Sequence, residues 1–399
     1  MTQLDTALRL EDPDFYLEDA DEVFARLRAT DPVHYYEPLD TFVLTSYEHV
    51  RLVGRKPLIF SNEDGILLND FRYGNVVAAF FPPNAENFAL DSPPRHNDLR
   101  RLMIPAFSAK NIADMESVIQ QYVEQQLDQV TPGEPVNWST LMAEPLPLTV
   151  IALLLGMPLE DVDLLHEWSD IVIRMGDSVD GEEIAKIAGS LAPMGAYFEE
   201  RLAERRVEPT EDLIGTLETA RAAGEISNET VHMILTGVMT AGNETTRNVI
   251  AGAVVALAEH PDQFTKLANG ASVEMAIEEF IRWVSPVRGF GRTVREDTEL
   301  GGVPIKAGQR VYMVYGAVNR DPEVFPDPHR FDVERMMTKP QLAFGFGQHA
   351  CIGAALARME LRILFTEVAK RFSKVSVVSQ RRMPSTLANG WADLHVIFE

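Results

Sequence analysis

The chain has 399 residues, of which 46% are hydrophobic and 24% charged, and these values are typical of a globular protein rather than a fibrous or disordered one. Its formal net charge of −24, from 36 lysines and arginines against 60 aspartates and glutamates, disfavours binding to nucleic acids and to anionic membrane surfaces. The one cysteine, Cys351, excludes an intramolecular disulfide and a cysteine-rich metal cluster.

The early part of the chain mixes a helix with strands. The pattern of apolar residues predicts a helix over Ala20–Thr30 and two short strands, Val33–Tyr36 and Thr41–Thr45. From about residue 111 to residue 260, apolar residues recur at three- and four-residue spacing, which predicts helices. After Pro286 the chain contains glycine-rich turns that flank short strands.

The end of the chain adds one long helix over Gly353–Phe372 and two strand-like segments, Lys374–Val378 and Leu394–Phe398. Neither a fixed-period repeat nor a long linker divides the sequence. We therefore expect a mainly α protein with small β-sheets, in which residues 1–399 form a single domain.

The N-terminus is acidic and lacks an apolar core, so no secretory signal is predicted. The longest uncharged run, Pro145–Leu159, is shorter than the roughly 18 residues that indicate a membrane span. We expect a soluble, cytoplasmic protein without a membrane anchor.

The segment around the cysteine, FGFGQHACIG over residues 344–353, carries the strongest chemical signal. Its three glycines allow positive φ and let the backbone approach a flat ligand closely. The thiol is predicted at the start of the next helix, where unpaired N–H groups and the helix dipole stabilise a thiolate. Such a thiolate suits haem iron, whereas the alternative is a buried free cysteine after a glycine turn.

The pattern Phe-Gly-x-Gly-x-His-x-Cys-x-Gly resembles the haem-thiolate signature of the cytochrome P-450 superfamily, whose fold the chain is then expected to adopt as a single domain. The resemblance implies that Cys351 binds the iron of haem b. It also implies that Phe344 packs on the proximal haem face and that Gly345 and Gly353 lie against the cofactor.

A second motif of the same family is Glu-x-x-Arg, which Glu279 and Arg282 match. Their i,i+3 spacing places both side chains on one helix face, where they can pair. The family adds a further arginine from the following meander, and Arg330 is the expected third member. We interpret this triad as structural.

The apolar pattern of residues 229–260 predicts one long helix, which contains AGNETT at residues 241–246. A glycine and two threonines are poor helix formers, and one explanation is a kinked core helix. The other is that Gly242 leaves room for a ligand while a threonine hydroxyl diverts backbone hydrogen bonding. The segment resembles the family's distal helix motif. That resemblance implies that Thr245 manages oxygen, Glu244 relays protons, and Ala241 and Gly242 lie beside the haem.

The remaining site residues are also implied by the resemblance. The segment PPRHNDLR, residues 93–100, is similar to the family's Pro-Pro-x-His-x-x-x-Arg, which places His96 and Arg100 on one helix face, suited to a haem propionate. Arg292 and His349 match the other propionate partners. The expected substrate contacts are Phe80, Phe81, Val238, Ala241, Val287 and Phe290.

Together the motifs imply a monooxygenase that inserts one atom of O2 into a sterol, a terpenoid, or an alkyl or aromatic hydrocarbon. Because no fused reductase is recognised, electrons are expected from a ferredoxin and its NAD(P)H-dependent reductase. The expected docking residues are Arg100, Arg101, Lys110 and Arg358. Two alternatives share Cys351, namely a peroxide-driven peroxygenase and a non-catalytic haem sensor, but neither is expected to need Glu244 and Thr245.

Overall fold

The computed structural model describes residues 7–74, 85–177 and 189–399. Helices make up most of these residues and supply most of the core. In chain order the α-helices are α1 (Ala20–Thr30), α2 (Tyr47–Arg55), α3 (Leu68–Tyr73), α4 (Arg95–Met103), α5 (Ala109–Leu127), α6 (Pro145–Leu155), α7 (Val162–Asp177), α8 (Ala192–Val207), α9 (Leu213–Ala222), α10 (Asn228–Glu259), α11 (Pro261–Ala268), α12 (Val273–Val284), α13 (Tyr315–Val318) and α14 (Ala354–Arg371).

The strands are short and form three small sheets. They are β1 (Val33–Tyr36), β2 (Thr41–Leu44), β3 (Phe60–Ser61), β4 (Pro135–Asn137), β5 (Gly289–Val294), β6 (Thr298–Leu300), β7 (Val303–Ile305), β8 (Arg310–Val314), β9 (Val375–Arg382) and β10 (Trp391–Phe398). The largest sheet has the order β1-β2-β8-β5-β3, and only its β2–β8 pair is parallel. The others are β4-β10-β9 and β6-β7.

Helix α10 lies at the centre of the main core. Its 32 residues span about 48 Å, and it packs against α6, α7, α12 and β9. The side chain of Ser227 caps its first turn by accepting a hydrogen bond from the Thr230 amide at 3.1 Å. The helix continues without a break through residues 241–246, so neither the glycine nor the threonines interrupt it.

Helix α14 follows the cysteine segment and packs against α5 and α12. On α12, Glu279 and Arg282 are fully buried and form the predicted pair, with Arg282 Nε 2.7 Å from Glu279 Oε2 and Nη2 2.8 Å from Oε1. Arg282 Nη1 also donates to the Asn319 oxygen at 2.9 Å and to the Pro328 oxygen at 3.0 Å, which fixes the end of α12 against the irregular chain that follows α13.

The prediction for the third member of this cluster is wrong. Arg330 is exposed and lies 3.5 Å from Asp332, whereas Arg335 places its Nε 3.0 Å from Glu279 Oε2. Arg335 also donates to the backbone oxygens of residues 326, 327 and 330. The chain curls around the Arg335 guanidinium, and this irregular path is what a linear spacing could not reveal.

The predicted fold class, mainly α with small β-sheets, is confirmed. The first helix and first strand have the predicted bounds, and α10 lies one residue N-terminal to its predicted range. The terminal strands are longer than predicted, because they pair with each other along β9 and β10. Within the described residues, no helix combines the length and the apolar character needed to cross a membrane.

Candidate active site

A cavity of about 280 Å³ lies between α10 and the segment that carries Cys351. Its walls are mostly apolar, and α6, β5 and β8 contribute to them. Concave, largely apolar sites of this kind bind small organic ligands and cofactors.

The cysteine segment is a tight loop whose thiol opens onto this cavity. Gly345 and Gly347 have φ values of 70° and 79°, and a Cβ on Gly347 would lie 1.9 Å from the Gly54 oxygen of α2. The Cys351 amide donates to the Phe344 oxygen at 2.9 Å. Only glycine satisfies both the backbone conformation and the close approach at Gly347.

Cys351 has accessible surface, but the space that it faces is the cavity. The surrounding protein raises the pKa of its thiol by burial, while the Gly353 amide and the guanidiniums of Arg100 and Arg358 act in the opposite direction. A cation at the cavity would therefore be needed to make the thiolate the dominant form, as metal coordination does.

Helix α10 forms the opposite part of the lining through Val238, Ala241, Gly242 and Thr245. Ala241 is exposed in the middle of an otherwise buried helix because it faces the cavity. Thr245 Oγ1 donates to the Ala241 oxygen at 2.8 Å, as the sequence predicts for a hydroxyl that diverts backbone hydrogen bonding.

Gly242 has a further reason to be glycine. A Cβ there would lie 2.3 Å from Cδ1 of Ile151, so the residue also permits α6 to pack closely on α10. The missing side chain of Gly242 therefore faces Ile151, and the interpretation that this glycine leaves room for a ligand stays a prediction.

Glu244 lies beside the cavity lining rather than in it. Asn248 Nδ2 donates to its Oε1 at 3.0 Å, and Arg247 Nη2 lies 3.8 Å from its Oε2. That Oε2 atom is buried and accepts no hydrogen bond from the described residues. The carboxylate is thus held next to Thr245 along the helix, with one oxygen still available.

Four cation-forming side chains converge on the cavity, namely His96, Arg100, Arg292 and His349. The rings of His96 and His349 are 4.2 Å apart between centroids, and Arg100 Nη1 donates to the Ala350 oxygen at 2.8 Å. Arg292 Nη1 donates to the Gly291 oxygen at 2.5 Å. Among the described residues none of the four forms an ion pair with a carboxylate.

The surroundings of these groups disfavour positive charge on the histidines. Burial lowers the pKa of His349 to about 3, and Arg292, His96 and Arg100 add to that effect. Burial also lowers the pKa of His96, whose Nε2 is buried without a hydrogen-bond partner in the described chain. Burial likewise lowers the pKa of Arg100 and of Arg292. A dianionic ligand such as haem, with two propionates, fits this unpaired cluster.

The predicted substrate residues divide into two groups. Val238, Ala241, Val287 and Phe290 line the cavity, whereas Phe80 and Phe81 lie outside the described residues. The sequence did not indicate several further lining residues, which come from loops, α6 and β8: Ile66, Phe88, Val150, Ile151 and Met313. Their sequence surroundings are those of ordinary core residues, and no local pattern distinguishes them.

One buried carboxyl also escaped the sequence interpretation. Glu360 of α14 lies at the cavity wall, is 2% exposed, and has an Oε1 atom without a hydrogen-bond partner in the described chain. Burial raises the pKa of this carboxyl well above its ordinary value. A neutral Glu360 is what this environment favours.

Comparison with known proteins identifies the family. The sequence profile described as Cytochrome P450 matches residues 193–392. Linalool 8-monooxygenase of Pseudomonas putida is 33% identical over 402 aligned residues, covering 97% of this chain and 98% of that protein. Steroid C26-monooxygenase of Rhodococcus jostii (strain RHA1) is 33% identical over 398 residues, with 95% and 81% covered.

Solved structures give the same result for the fold. The structure of Cytochrome P450-153 from Novosphingobium aromaticivorans matches with a TM-score of 0.87 and 30% sequence identity, covering 99% of this chain and 100% of that one. A chain with this cavity and these matches over nearly its whole length belongs to the cytochrome P450 family of haem b monooxygenases.

Proposed function

We propose that this cytochrome P450 inserts one oxygen atom from dioxygen into a small hydrophobic molecule, with the Cys351 thiolate as the axial ligand of haem b. The observation that carries the proposal is that Cys351 and Thr245 open onto one apolar cavity, which four unpaired cation-forming side chains also line. An apolar wall, a thiol and an anion-binding cluster are the three elements that a haem-thiolate site requires.

The cluster would hold the propionates. Arg100 and Arg292 supply fixed positive charge, and His96 and His349 supply N–H donors even when they are neutral. Phe344, Gly345 and Gly353 line the cavity together with Cys351 and would border the cofactor there. Haem b with a thiolate ligand supplies the cleavage of the O–O bond that the reaction needs.

Thr245 and Glu244 would handle protons. Because Thr245 Oγ1 donates to the Ala241 oxygen, its lone pairs can accept a hydrogen bond from water in the cavity. The adjacent Glu244 is held by Asn248 and retains an available Oε2. In its protonated form, a carboxyl group next to a hydroxyl can pass a proton to it without opening the cavity to bulk water.

The lining residues favour a substrate without charge. Val238, Val287 and Phe290 present apolar surface, and the small side chain of Ala241 occupies little of the cavity. Two relatives are named for linalool and for a steroid, so we propose a terpenoid, a sterol, or an alkyl or aromatic hydrocarbon. Optical titration of the ferric protein with each class identifies the one that displaces iron-bound water, through a low-to-high-spin Soret shift.

The test of the oxygenase function is Thr245→Ala with reconstituted redox partners. We expect NAD(P)H consumption to continue, product formation to fall by about a hundredfold or more, which is the lower end of what a positioned proton-transfer group contributes, and peroxide to accumulate. The control is Thr240→Ala on the same helix, because the Thr240 hydroxyl donates to the Thr236 oxygen at 2.9 Å and does not line the cavity.

Four results would each contradict the proposal. An unchanged product yield in Thr245→Ala would remove the role of its hydroxyl, and turnover with peroxide alone at the full rate would favour a peroxygenase. A reduced, CO-treated protein without the red-shifted thiolate band would remove Cys351 as the ligand. Tight haem binding without any turnover would favour a sensor.

We further propose that a ferredoxin with an NAD(P)H-dependent reductase supplies the electrons. Of the expected docking residues, Arg358 is partly engaged, because its Nε lies 2.5 Å from Glu278 Oε1 and its guanidinium lies over Phe344. Arg101 pairs with Asp98 at 3.2 Å and Lys110 with Glu211 at 3.0 Å, but the side chains of Arg101 and Lys110 are 74% and 71% exposed, against 40% for Arg358. They are therefore more suitable contacts for an acidic partner than Arg358.

Reversal of the Arg101 charge tests this docking site. We expect Arg101→Glu to slow reduction by the ferredoxin several-fold at low ionic strength, with the difference shrinking as salt is added, because exposed charges act mainly on association. The ferric spectrum should not change. Equal reduction rates in wild type and variant at low salt would remove Arg101 from the docking site.

A further inference from the structure

A second cavity, of about 300 Å³, lies against the C-terminal half of α10. Gly252, Val255 and Ala256 of α10 line it, whereas the first cavity meets the helix between residues 237 and 249. The two cavities also share a wall, because Val287 faces the first and Arg288 the second. The proposed monooxygenase chemistry makes no use of this second space.

Arginines dominate the interior of the second cavity. Arg288, Arg320 and Arg382 line it, and Arg288 is only 9% exposed. Arg288 Nε donates to the oxygens of Ser385 at 2.8 Å and Ala388 at 3.1 Å. Its Nη2 is buried and has no hydrogen-bond partner in the described chain, and the same is true of Arg382 Nε.

The partners of Arg288 and Arg382 are neutral. Arg288 lies over the Tyr16 ring, with 4.5 Å from its Cζ to the centroid, and Arg382 lies 4.7 Å over Trp391. Arg382 Nη2 donates to Asn389 Oδ1 at 2.5 Å. Within residues 7–74, 85–177 and 189–399, neither guanidinium has a carboxylate oxygen within 4.0 Å.

The carboxylates of this cavity lie at its exposed edge. Asp21 is 65% exposed and stands 3.6 Å from Arg320, and Glu18 pairs with Arg9 at 2.9 Å. Glu259 is exposed as well. Positive charge thus lies inside the cavity and negative charge at its edge. Burial lowers the pKa of Arg288 to about 10, because no carboxylate lies close enough to offset it. Buried cations of this kind are costly until they are paired.

We propose that the second cavity binds a small organic oxyanion, a carboxylate or a phosphate, between Arg288 and Arg382. The guanidinium fork is the side-chain group best suited to both anions. Gln380 adds an amide donor, because its Oε1 already accepts from Trp391 Nε1 at 2.7 Å. The rings of Tyr16, Trp283 and Trp391 provide apolar surface for the remainder of the molecule.

The net charge of the chain argues against non-specific binding of anions elsewhere on the protein. A protein with a charge of −24 repels anions from most of its surface, so any tight oxyanion binding must arise from a local arrangement. The site does not depend on the proposed monooxygenase function, because a different part of α10 and different arginines form it.

The experiment is calorimetric titration of the haem-loaded protein with inorganic phosphate and with succinate, against sodium chloride at equal ionic strength. We expect one saturable site for at least one of the two anions, without a change in the Soret band. Arg382→Gln should weaken it by about tenfold or more, since hydrogen bonds to charged groups contribute that much.

A matched control is available on the same strand. Arg381 precedes Arg382 in β9, is exposed, and does not line the cavity, so Arg381→Gln removes the same charge and should leave the affinity unchanged. Gly316→Leu is a second test that keeps every arginine. Gly316 lines the cavity, and a Cβ there meets no atom within 4 Å, so a leucine side chain should occupy the space and block the anion.

The outcomes separate clearly. Saturation by phosphate alone assigns a phosphoryl ligand, and saturation by succinate alone assigns a carboxylate. The absence of saturable binding of either anion to the wild type would overturn the proposal. So would equal weakening in Arg381→Gln and Arg382→Gln, or full affinity in Gly316→Leu. If Arg382→Gln does not fold, Gly316→Leu decides. None of these results bears on the Thr245 test.

Discussion

Two buried clusters of charge in this protein differ in one respect, namely whether the chain supplies the counter-ion. Around Glu279 the carboxylate is shared by Arg282 and Arg335, and it also accepts from the Asp332 amide at 2.9 Å. Around the haem cavity, His96 and Arg292 have only neutral partners in the described chain. The first cluster is complete as folded, whereas the second is complete only with an anionic ligand.

This difference separates structural charge from ligand-binding charge. A buried ion pair with every hydrogen bond satisfied fixes the path of the chain but adds little net stability. Unpaired cations lower the stability of the chain without its ligand, and that free energy is recovered when the ligand binds. Burial of charge alone therefore does not distinguish the two clusters, whereas the lack of a counter-ion from the chain does.

The largest expected effect comes from breaking the complete cluster. Glu279→Ala would leave the guanidiniums of Arg282 and Arg335 buried without an anion, and we expect a loss of about 3–5 kcal/mol in the free energy of unfolding. Urea unfolding followed by circular dichroism measures it. The matched control is Glu278→Ala, which removes a partly exposed carboxylate from the neighbouring position and should cost about 1 kcal/mol or less. Equal losses of stability in Glu279→Ala and Glu278→Ala would show that Glu279 is not the counter-ion on which the buried arginines depend.

The opposite result is expected in the incomplete cluster. Arg292 is buried without a carboxylate partner, so Arg292→Leu should leave the haem-free chain as stable as the wild type or more so. Haem retention should fall by about tenfold to a hundredfold, because a charge-assisted hydrogen bond to a propionate is lost. Transfer of haem to an acceptor protein measures retention. A haem-free variant as unstable as Glu279→Ala would show that Arg292 is structural.

The sequence predicts the parts of this molecule that depend on local periodicity or fixed spacing. Helix α10 was placed to within one residue because its apolar pattern extends over many turns. The contact of Asn248 with Glu244 could also have been read from the sequence, since i,i+4 residues share a helix face. Roles assigned to Cys351 and Thr245 remain predictions until the variants are measured.

Features that depend on the meeting of distant segments were not predictable. Arg335 replaces Arg330 because a loop of irregular backbone, not a helix, sets its distance from Glu279. The second cavity forms only where α1, α10 and β9 come together. No local sequence pattern in any of these three elements predicts that contact. Unpaired polar atoms likewise become visible only when every neighbour is placed.

The smallest expected effect is a pH dependence that distinguishes the haem-free and haem-loaded proteins. Burial lowers the pKa of His96 in the folded chain, and the neighbouring Arg100 adds to this, although a weak hydrogen bond that His96 Nδ1 donates to Asn97 Oδ1 opposes it. As the pH falls below about 6.5, the unfolded chain therefore takes up a proton at this position before the folded chain does. The haem-free protein should lose stability in that direction, with a contribution of at most about 1.4 kcal/mol per pH unit from one proton.

The variant His96→Gln isolates this contribution from those of other groups. Its haem-free form should lose less stability than the wild type between pH 6.5 and pH 5, as followed by urea unfolding at each pH. In the haem-loaded protein, a propionate beside His96 would favour the protonated ring, so the difference between wild type and variant should shrink or change sign. The same difference with and without haem would mean that no propionate lies near His96, and the anion-binding role of the cluster would then rest on Arg100, Arg292 and His349 alone.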